Sequence, residues 1–81
     1  MITSNYKKIK IDLCGKEIII KKLNINCILN VLRNQLINIV SFPFIFLDKD
    51  DNEIETIMEG KIKLKDILDG KNLHIKKKNF I

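Results

Sequence analysis

An acidic segment in the middle of the chain has the residue types, and part of the spacing, of a calcium-binding loop. In such a loop, side-chain oxygens at positions 1, 3, 5 and 12 coordinate Ca²⁺. This chain has Asp48, Asp50, Asn52 and Glu59 at those positions. Position 6, which needs a glycine for the sharp turn, holds Glu53 instead. The segment before this loop has the pattern of a strand, whereas a calcium loop follows a helix. The sequence therefore predicts an exposed acidic turn that is available to a partner, and no bound metal.

The other side chains that could do acid–base or nucleophilic chemistry are isolated from one another. His74 is the only histidine, so no second imidazole can complete a metal site or a catalytic triad. Cys14 and Cys27 lack the short spacing of metal-ligating cysteine pairs. We therefore expect no enzymatic activity and no cofactor, with His74 on a strand surface where it can join a partner-binding patch.

Cysteine usage and the apolar runs indicate the compartment. Two cysteines are too few for a disulfide scaffold and are expected to be free thiols in a reducing environment. The N-terminal residues MITSNYKK are polar and do not form a signal peptide. The longest nearly apolar run, residues 39–47, contains Ser41 and Pro43 and is too short to span a bilayer. These features predict an intracellular, cytoplasmic protein.

The net charge of +5 is distributed in blocks along the 81 residues. Residues 1–47 hold seven basic and two acidic side chains, and residues 60–81 hold seven lysines and two aspartates. Residues 48–59 hold six acidic side chains against Lys49. A nucleic-acid-binding protein would keep its acids away from one basic face and would interleave arginine or aromatic residues, whereas Arg33 is the only arginine here. Nucleic acid is therefore disfavoured as a partner, and peripheral contact with an anionic membrane stays open.

The N-terminal part of the chain has the pattern of a β-hairpin. Apolar and charged residues alternate over residues 8–13, which predicts a half-buried strand. A two-residue loop at Cys14-Gly15 would match the apolar side chains of the two strands on one face. The predicted pairs are Leu13 with Lys16, Ile11 with Ile18, and Ile9 with Ile20. A shift of one residue would turn Ile18 and Ile20 to the opposite face.

From Leu23 the apolar period changes to steps of three and four, which predicts one main helix over about residues 25–40. Asn24 or Asn26 can cap its start by accepting a backbone hydrogen bond. Pro43 cannot continue the helix. The apolar stripe consists of Ile25, Ile28, Leu29, Leu32, Leu36, Ile39 and Val40.

The C-terminal half predicts further short elements. These are a strand at residues 44–47, a turn at 48–52, a short extra strand at 54–58, a helical turn at 64–68 and a last strand around 73–76. The order predicts a single α+β domain over residues 1–81, with a mixed sheet of four or five strands packed on one main helix. The chain can also be the N-terminal part of a longer protein.

In this order the elements resemble those of ubiquitin over about residues 8–77. The stretch KIKIDLCGKEIII is similar to its first two strands and their glycine turn, and Phe42-Pro43 is similar to the Ile-Pro after its helix. The other matching residues are Leu29, Leu32 and Leu36 in the helix, Ile45-Phe46 in the third strand, and Leu64, Asp66, Ile67 and Leu73-His74-Ile75 near the end. The resemblance implies a ubiquitin-like β-grasp fold.

The resemblance to ubiquitin also implies a function. Ubiquitin binds partners through a sheet patch whose isoleucine and histidine correspond to Ile45 and His74, while Lys76 stands where ubiquitin has a valine. The tail KKKNFI has no Gly-Gly, so this chain is not expected to be conjugated to targets. The primary hypothesis is therefore a non-catalytic protein–protein interaction module.

Parts of this chain also resemble three narrower families with the same kind of fold. Doublecortin domains share the Asp-centred turn after strand three, which implies a basic domain that binds tubulin or an anionic membrane. Phox-and-Bem domains share the aromatic strand and acidic run, at Phe46, Asp48, Asp50 and Ile54. The N-terminal domain of apicomplexan immune mapped proteins resembles FIFLDKDDNEI and LKDILDGKNLHIK, which implies a structural or antigenic domain.

The charge blocks suggest a second partner-binding mode, in which copies of the chain associate head to tail. The acidic residues of one copy would contact a basic patch of another copy, formed by Lys8 and Lys10 with Lys21 and Lys22. Exposed ion pairs contribute only about 0–1 kcal/mol each, so this association would be weak and sensitive to salt. The acidic side of the contact consists of Asp48, Asp50, Asp51 and Glu53.

Overall fold

The computed structural model of the protein describes residues 5–13 and 18–78. In these ranges the chain forms four strands, one α-helix and two 3-10 helices. The strands are β1 (Tyr6–Leu13), β2 (Ile18–Asn24), β3 (Phe44–Leu47) and β4 (Asn72–Lys77), the helix is α1 (Leu29–Leu36), and the 3-10 helices are Thr56–Lys61 and Leu64–Asp66. No helix in the described ranges is long and apolar enough to cross a membrane.

The four strands form one mixed sheet in the order β2-β1-β4-β3. β1 pairs antiparallel with β2 and parallel with β4, and β3 pairs antiparallel with β4. The parallel pair is possible because the chain between β1 and β4 includes α1, which packs on one face of the sheet. The predicted fold class is therefore confirmed, and the arrangement is compatible with a β-grasp fold.

One hydrophobic core lies between the sheet and α1. The helix contributes Leu29, Leu32 and Leu36, which are fully buried, so the predicted apolar stripe is correct for this part of the helix. The sheet contributes alternate residues of β1, β3 and β4, as expected for strands with one buried face. These residues are Ile9, Ile11, Leu13, Phe44, Phe46, Leu73 and Ile75.

The helix is shorter than predicted, with 8 residues from Leu29 to Leu36 instead of a span of about 25–40. The backbone at its start bonds to a distant segment. The N–H of residue 29 donates to the carbonyl of residue 62, and the N–H groups of residues 64 and 65 donate to the carbonyls of residues 27 and 25, all at 2.8–2.9 Å. Ile28 is the N-cap and its side chain makes no capping hydrogen bond, so the predicted asparagine cap is wrong. Asn24 instead accepts the N–H of Asn26 in a local turn, at 2.9 Å.

The predicted hairpin register is also wrong, by one residue. Ile11 pairs with Ile19 and Ile9 pairs with Lys21, so Ile18 and Ile20 face away from the core and are 62% and 61% exposed. The cause is Leu23, which belongs to β2 and is buried at 1% exposure. Side chains alternate along a strand, and Leu23 in the core places Ile19 on its side and the other two isoleucines opposite. The predicted turn at Cys14-Gly15 lies outside the described residues.

The segment after β3 differs from the predicted extra strand at residues 54–58. Only Glu53 forms a bridge with Leu47, and the N–H of Ile54 donates to Phe46 at 2.9 Å. The chain then enters the 3-10 helix Thr56–Lys61, which packs on α1 through the buried side chain of Glu59. The predicted turn at 48–52, the helical turn near 64 and the last strand are confirmed.

Candidate functional site

The sheet face opposite α1 is accessible in the described residues, and we call it the outer face. Because side chains alternate along each strand, the residues between the core residues all point to this face. They are a mixture of basic, acidic and apolar side chains, each exposed or half-buried. The outer face consists of Tyr6, Lys8, Lys10 and Asp12 of β1, Ile18, Ile20 and Lys22 of β2, Ile45 and Leu47 of β3, and Asn72, His74 and Lys76 of β4.

One row of this face crosses all four strands and has His74 near its middle. Asp12 pairs with Ile18 on one side and with His74 on the other, and His74 pairs with Leu47. The neighbouring row contains Ile45, which pairs with Lys76. The structure therefore places the predicted residues Ile45 and His74 on the same face, on adjacent strands and in consecutive rows.

Two carboxylates hold the His74 ring. Its Nδ1 lies 3.4 Å from Oδ2 of Asp12, and its Nε2 lies 3.8 Å from Oδ2 of Asp69. The imidazole keeps about a quarter of its surface exposed. Each ring nitrogen thus has a carboxylate within 4 Å on the outer face.

The turn after β3 uses its first acidic side chain internally. One carboxylate oxygen of Asp48 accepts the backbone N–H groups of Asp50 at 2.8 Å and Asn52 at 3.0 Å. These hydrogen bonds, that from Asn52 above all, favour the charged form and lower the pKa of Asp48. Asp51 takes the left-handed conformation at φ 64°, which aspartate tolerates better than most residues. Asp48 therefore shapes the turn, and Asp50 and Asp51 are the exposed acidic groups.

Glu53 connects this turn to the outer face. Its Oε2 lies 3.1 Å from Nζ of Lys76, and both side chains are about half exposed. Because Lys76 pairs with Ile45, the ion pair borders the predicted patch. Lys8 and Lys10 lie elsewhere on the same face, on β1 and opposite Lys22 and Ile20 of the edge strand β2. The structure thus brings Ile45, His74 and Glu53 together and separates the acidic turn from Lys8 and Lys10.

Sequence reasoning missed a buried ion pair. Nε and Nη2 of Arg33 donate to the two carboxylate oxygens of Glu59 at 2.8 and 2.7 Å, and Glu59 is 1% exposed. The guanidinium carbon lies 4.5 Å from the ring centre of Phe44 and 5.3 Å from that of Phe46. One signal was present: Arg33 is the only arginine in a lysine-rich chain, and arginine suits bidentate and stacked contacts.

This pair also bears on the calcium pattern, because Glu59 would have been its last ligand. A carboxylate that is buried and bonded to a guanidinium is not available to the acidic turn. Within the described residues, no three histidine, cysteine or acidic side chains are grouped so that they could hold a metal ion.

Comparison with known proteins finds no family model, no curated protein and no solved structure that matches this chain. The ubiquitin resemblance therefore assigns no family. The functional argument rests on the fold, on the outer face and on the chemistry of its side chains.

Proposed function

We propose that the protein is a non-catalytic, ubiquitin-like interaction module that binds another protein through its outer face and is not conjugated. The observation that carries this proposal is the row Ile18–Asp12–His74–Leu47 with Ile45 beside it. Protein interfaces combine apolar contact surface with polar groups, and this face offers both: apolar side chains on the edge strands β2 and β3, with Asp12 and His74 between them.

The geometry of His74 supports a binding role over a catalytic one. Both ring nitrogens face carboxylates, so neither is directed at a nucleophile. The ring also lies on an open sheet face, whereas acid–base catalysis uses a cleft that excludes water. The imidazole between Leu47 and Asp12 instead offers a partner an aromatic surface on the sheet.

The test uses one variant of the patch and one matched control. Ile45→Asp introduces a charge on the outer face, on β3 and one row from His74. Ile57→Asp introduces the same charge on the 3-10 helix, at a side chain that is 80% exposed. Both proteins, with the wild type, are used for quantitative affinity capture from cells of the source organism. Each captured protein is then purified and titrated into the isotope-labelled chain, and amide shifts are measured by NMR.

We expect a partner that is lost with Ile45→Asp, is retained with Ile57→Asp, and shifts the amides of Ile45, His74 and their neighbours. The proposal is wrong if the purified partner binds both variants equally, or if its shifts map to α1 or to the 3-10 helices.

A second candidate, head-to-tail association of copies, is favoured by the separation of the charged regions. The acidic turn follows β3, at one edge of the sheet, whereas Lys21 and Lys22 lie on β2, at the other edge. A contact between unlike surfaces at opposite edges continues from copy to copy and does not close into a dimer. Sedimentation at low salt should then show a mass that grows with concentration.

The matched variant for this candidate is Asp50→Asn with Asp51→Asn. Asparagine tolerates the left-handed conformation of Asp51, so the turn is kept while two charges are removed. The association should disappear in this variant and in high salt. A wild-type chain that stays monomeric at low salt and high concentration would exclude head-to-tail association and leave the outer-face proposal untouched.

A further inference from the structure

A groove with a basic rim lies at the end of the sheet where β1 and β4 begin. Three segments meet there: the first residues of β1, the chain after β2, and the chain between the second 3-10 helix and β4. The groove encloses about 410 Å³. Its floor is apolar, and its rim carries three lysines from three different parts of the sequence. The accessible floor consists of the half-buried Ile25 and Leu68 above the fully buried Ile9, and the rim consists of Lys7, Lys65 and Lys71.

Backbone hydrogen bonds fix the segments that carry these lysines. The N–H of Lys10 donates to the carbonyl of Lys71 at 2.9 Å, which ties the start of β4 to β1. The N–H of Lys65 donates to the carbonyl of Ile25 at 2.9 Å, and the N–H of Ile25 donates to Asn5 at 2.9 Å. A ligand would therefore order only the lysine side chains, since their backbone is already in place.

The positive charge of the groove is not neutralised by the part of the chain that the structure describes. Lys7, Lys65 and Lys71 make no ion pair there, in contrast to Lys76 with Glu53. The acidic residues nearest in sequence make their contacts with other groups. Asp66 accepts the backbone N–H of Lys63 at 3.2 Å, and Asp69 lies 3.8 Å from His74. Three lysine side chains thus line one groove, and none of them forms an ion pair with a carboxylate of the described residues.

We propose that this groove binds a small soluble phosphomonoester that carries an apolar group. Lysine ammonium groups bind phosphate as point charges, and three of them can satisfy a dianion. The apolar floor accepts the hydrocarbon or aromatic part, and the volume falls in the range of about 300–1,000 Å³ typical of small-molecule sites. The site is separate from the outer face, so it does not depend on the protein-binding proposal.

The surroundings favour a soluble ligand over a lipid headgroup. A protein that docks on a bilayer next to a basic pocket usually inserts an exposed apolar side chain beside it. The large exposed apolar residues of the described ranges all lie outside the groove lining, and Tyr6, the neighbour of Lys7 in β1, points to the outer face of the sheet. They are Tyr6, Ile18, Ile20, Val31, Ile37, Ile57 and Met58.

The test is an NMR titration of the isotope-labelled chain with 1-naphthyl phosphate, inorganic phosphate, and vesicles of phosphatidylcholine with and without phosphatidic acid. We expect saturable shifts of the amides that line the groove with 1-naphthyl phosphate. Burial of its rings on the apolar floor should make this ligand bind about tenfold more tightly than inorganic phosphate. Added salt should weaken binding of both.

The groove variant is the double substitution Lys65→Gln and Lys71→Gln. Its control is the double substitution Lys49→Gln and Lys61→Gln, which removes the same charge from exposed positions outside the groove. We expect the first variant to bind 1-naphthyl phosphate about tenfold more weakly for each lysine removed. The control should bind nearly as the wild type does, and thermal unfolding should show that both variants are folded.

Four results would overturn the proposal: no saturable shifts, equal affinity for both phosphates, equal weakening in both variants, or binding to acidic vesicles without binding to the soluble ligand.

Discussion

Removal of one partner from the buried ion pair between Arg33 and Glu59 should be among the most destabilising single changes in the protein. Replacing Arg33 by methionine keeps the apolar contact with the phenylalanine rings and removes the guanidinium. Glu59, which is 1% exposed, is then left in the interior without its two hydrogen bonds. A buried carboxylate without a partner cannot recover its hydration, so its desolvation becomes a direct cost to the folded state.

Breaking a buried pair by removal of one partner costs about 3–5 kcal/mol, and loss of the stacking on aromatic rings adds about 0.5–1 kcal/mol. Arg33 itself keeps 23% of its side chain exposed, so water can reach part of the site. We therefore expect about 3 kcal/mol from Arg33→Met. In a domain of this size each kcal/mol lowers Tm by about 4–8 °C, so the expected decrease is about 12 °C or more.

The measurement is urea unfolding followed by circular dichroism, on single and double variants. The double variant Arg33→Met with Glu59→Leu should recover much of the loss, because apolar side chains of similar size replace a buried pair at little cost. The strength of the coupling follows from the double-mutant cycle. Lys76→Met is the matched control, since it removes the cation of the exposed pair with Glu53 and should cost about 0–1 kcal/mol.

The reasoning is refuted if Arg33→Met costs no more than Lys76→Met, or if the double variant is as unstable as the sum of its two single variants. Either result would mean that the guanidinium contributes little to the burial of Glu59.

Three further predictions follow from the turn, the free thiol and the hairpin. Two backbone N–H groups of its own turn lower the pKa of Asp48 in the folded state. The charged carboxylate therefore stabilises the fold above the usual carboxyl pKa, and this stabilisation is lost as the pH falls through the folded-state pKa. Asp48→Asn should thus flatten the stability profile between about pH 5 and pH 2, and an unchanged profile would contradict the assignment. Burial raises the pKa of Cys27, so in a Cys14→Ser background its reaction with a disulfide reagent at neutral pH should be slower than in urea, and equal rates would refute the burial. Ile20→Thr should cost less than about 0.5 kcal/mol of unfolding free energy, and Leu23→Ala about 2–5 kcal/mol, because only the second side chain lies in the core. The reverse order would restore the register expected from the sequence.

Several elements could be predicted from the sequence because their cause is local. β4 follows from the alternation of Leu73 and Ile75 with polar residues, and the middle of α1 follows from the spacing of Leu29, Leu32 and Leu36. The turn after β3 follows from an aspartate that can accept backbone N–H groups two and four residues later. The prediction that Ile45 and His74 share one surface came from the resemblance to ubiquitin, because the apolar run at residues 44–47 does not show by itself which side chains face the core.

The errors share a different cause, which is competition from residues distant in sequence. The periodicity around residues 25–28 is compatible with a helix, but the carbonyls of residues 25 and 27 accept hydrogen bonds from residues 65 and 64, and a backbone group so engaged cannot begin a helix. The identity of Ile18 and Ile20 as apolar residues does not show which face they occupy. Leu23 decides this, because it is the residue of β2 that is buried in the core.

The sequence by itself thus determined the order of the four strands and the helix, the α+β class and the face to which most strand residues point, since these depend on local periods of two and about 3.6 residues. The tertiary structure alone decided the hairpin register, the start of α1, the pairing of Glu59 with a residue 26 positions away, and the meeting of three lysines around one groove. These features arise only when segments far apart in the chain compete for the same hydrogen bonds and the same core volume, and no local pattern records that competition.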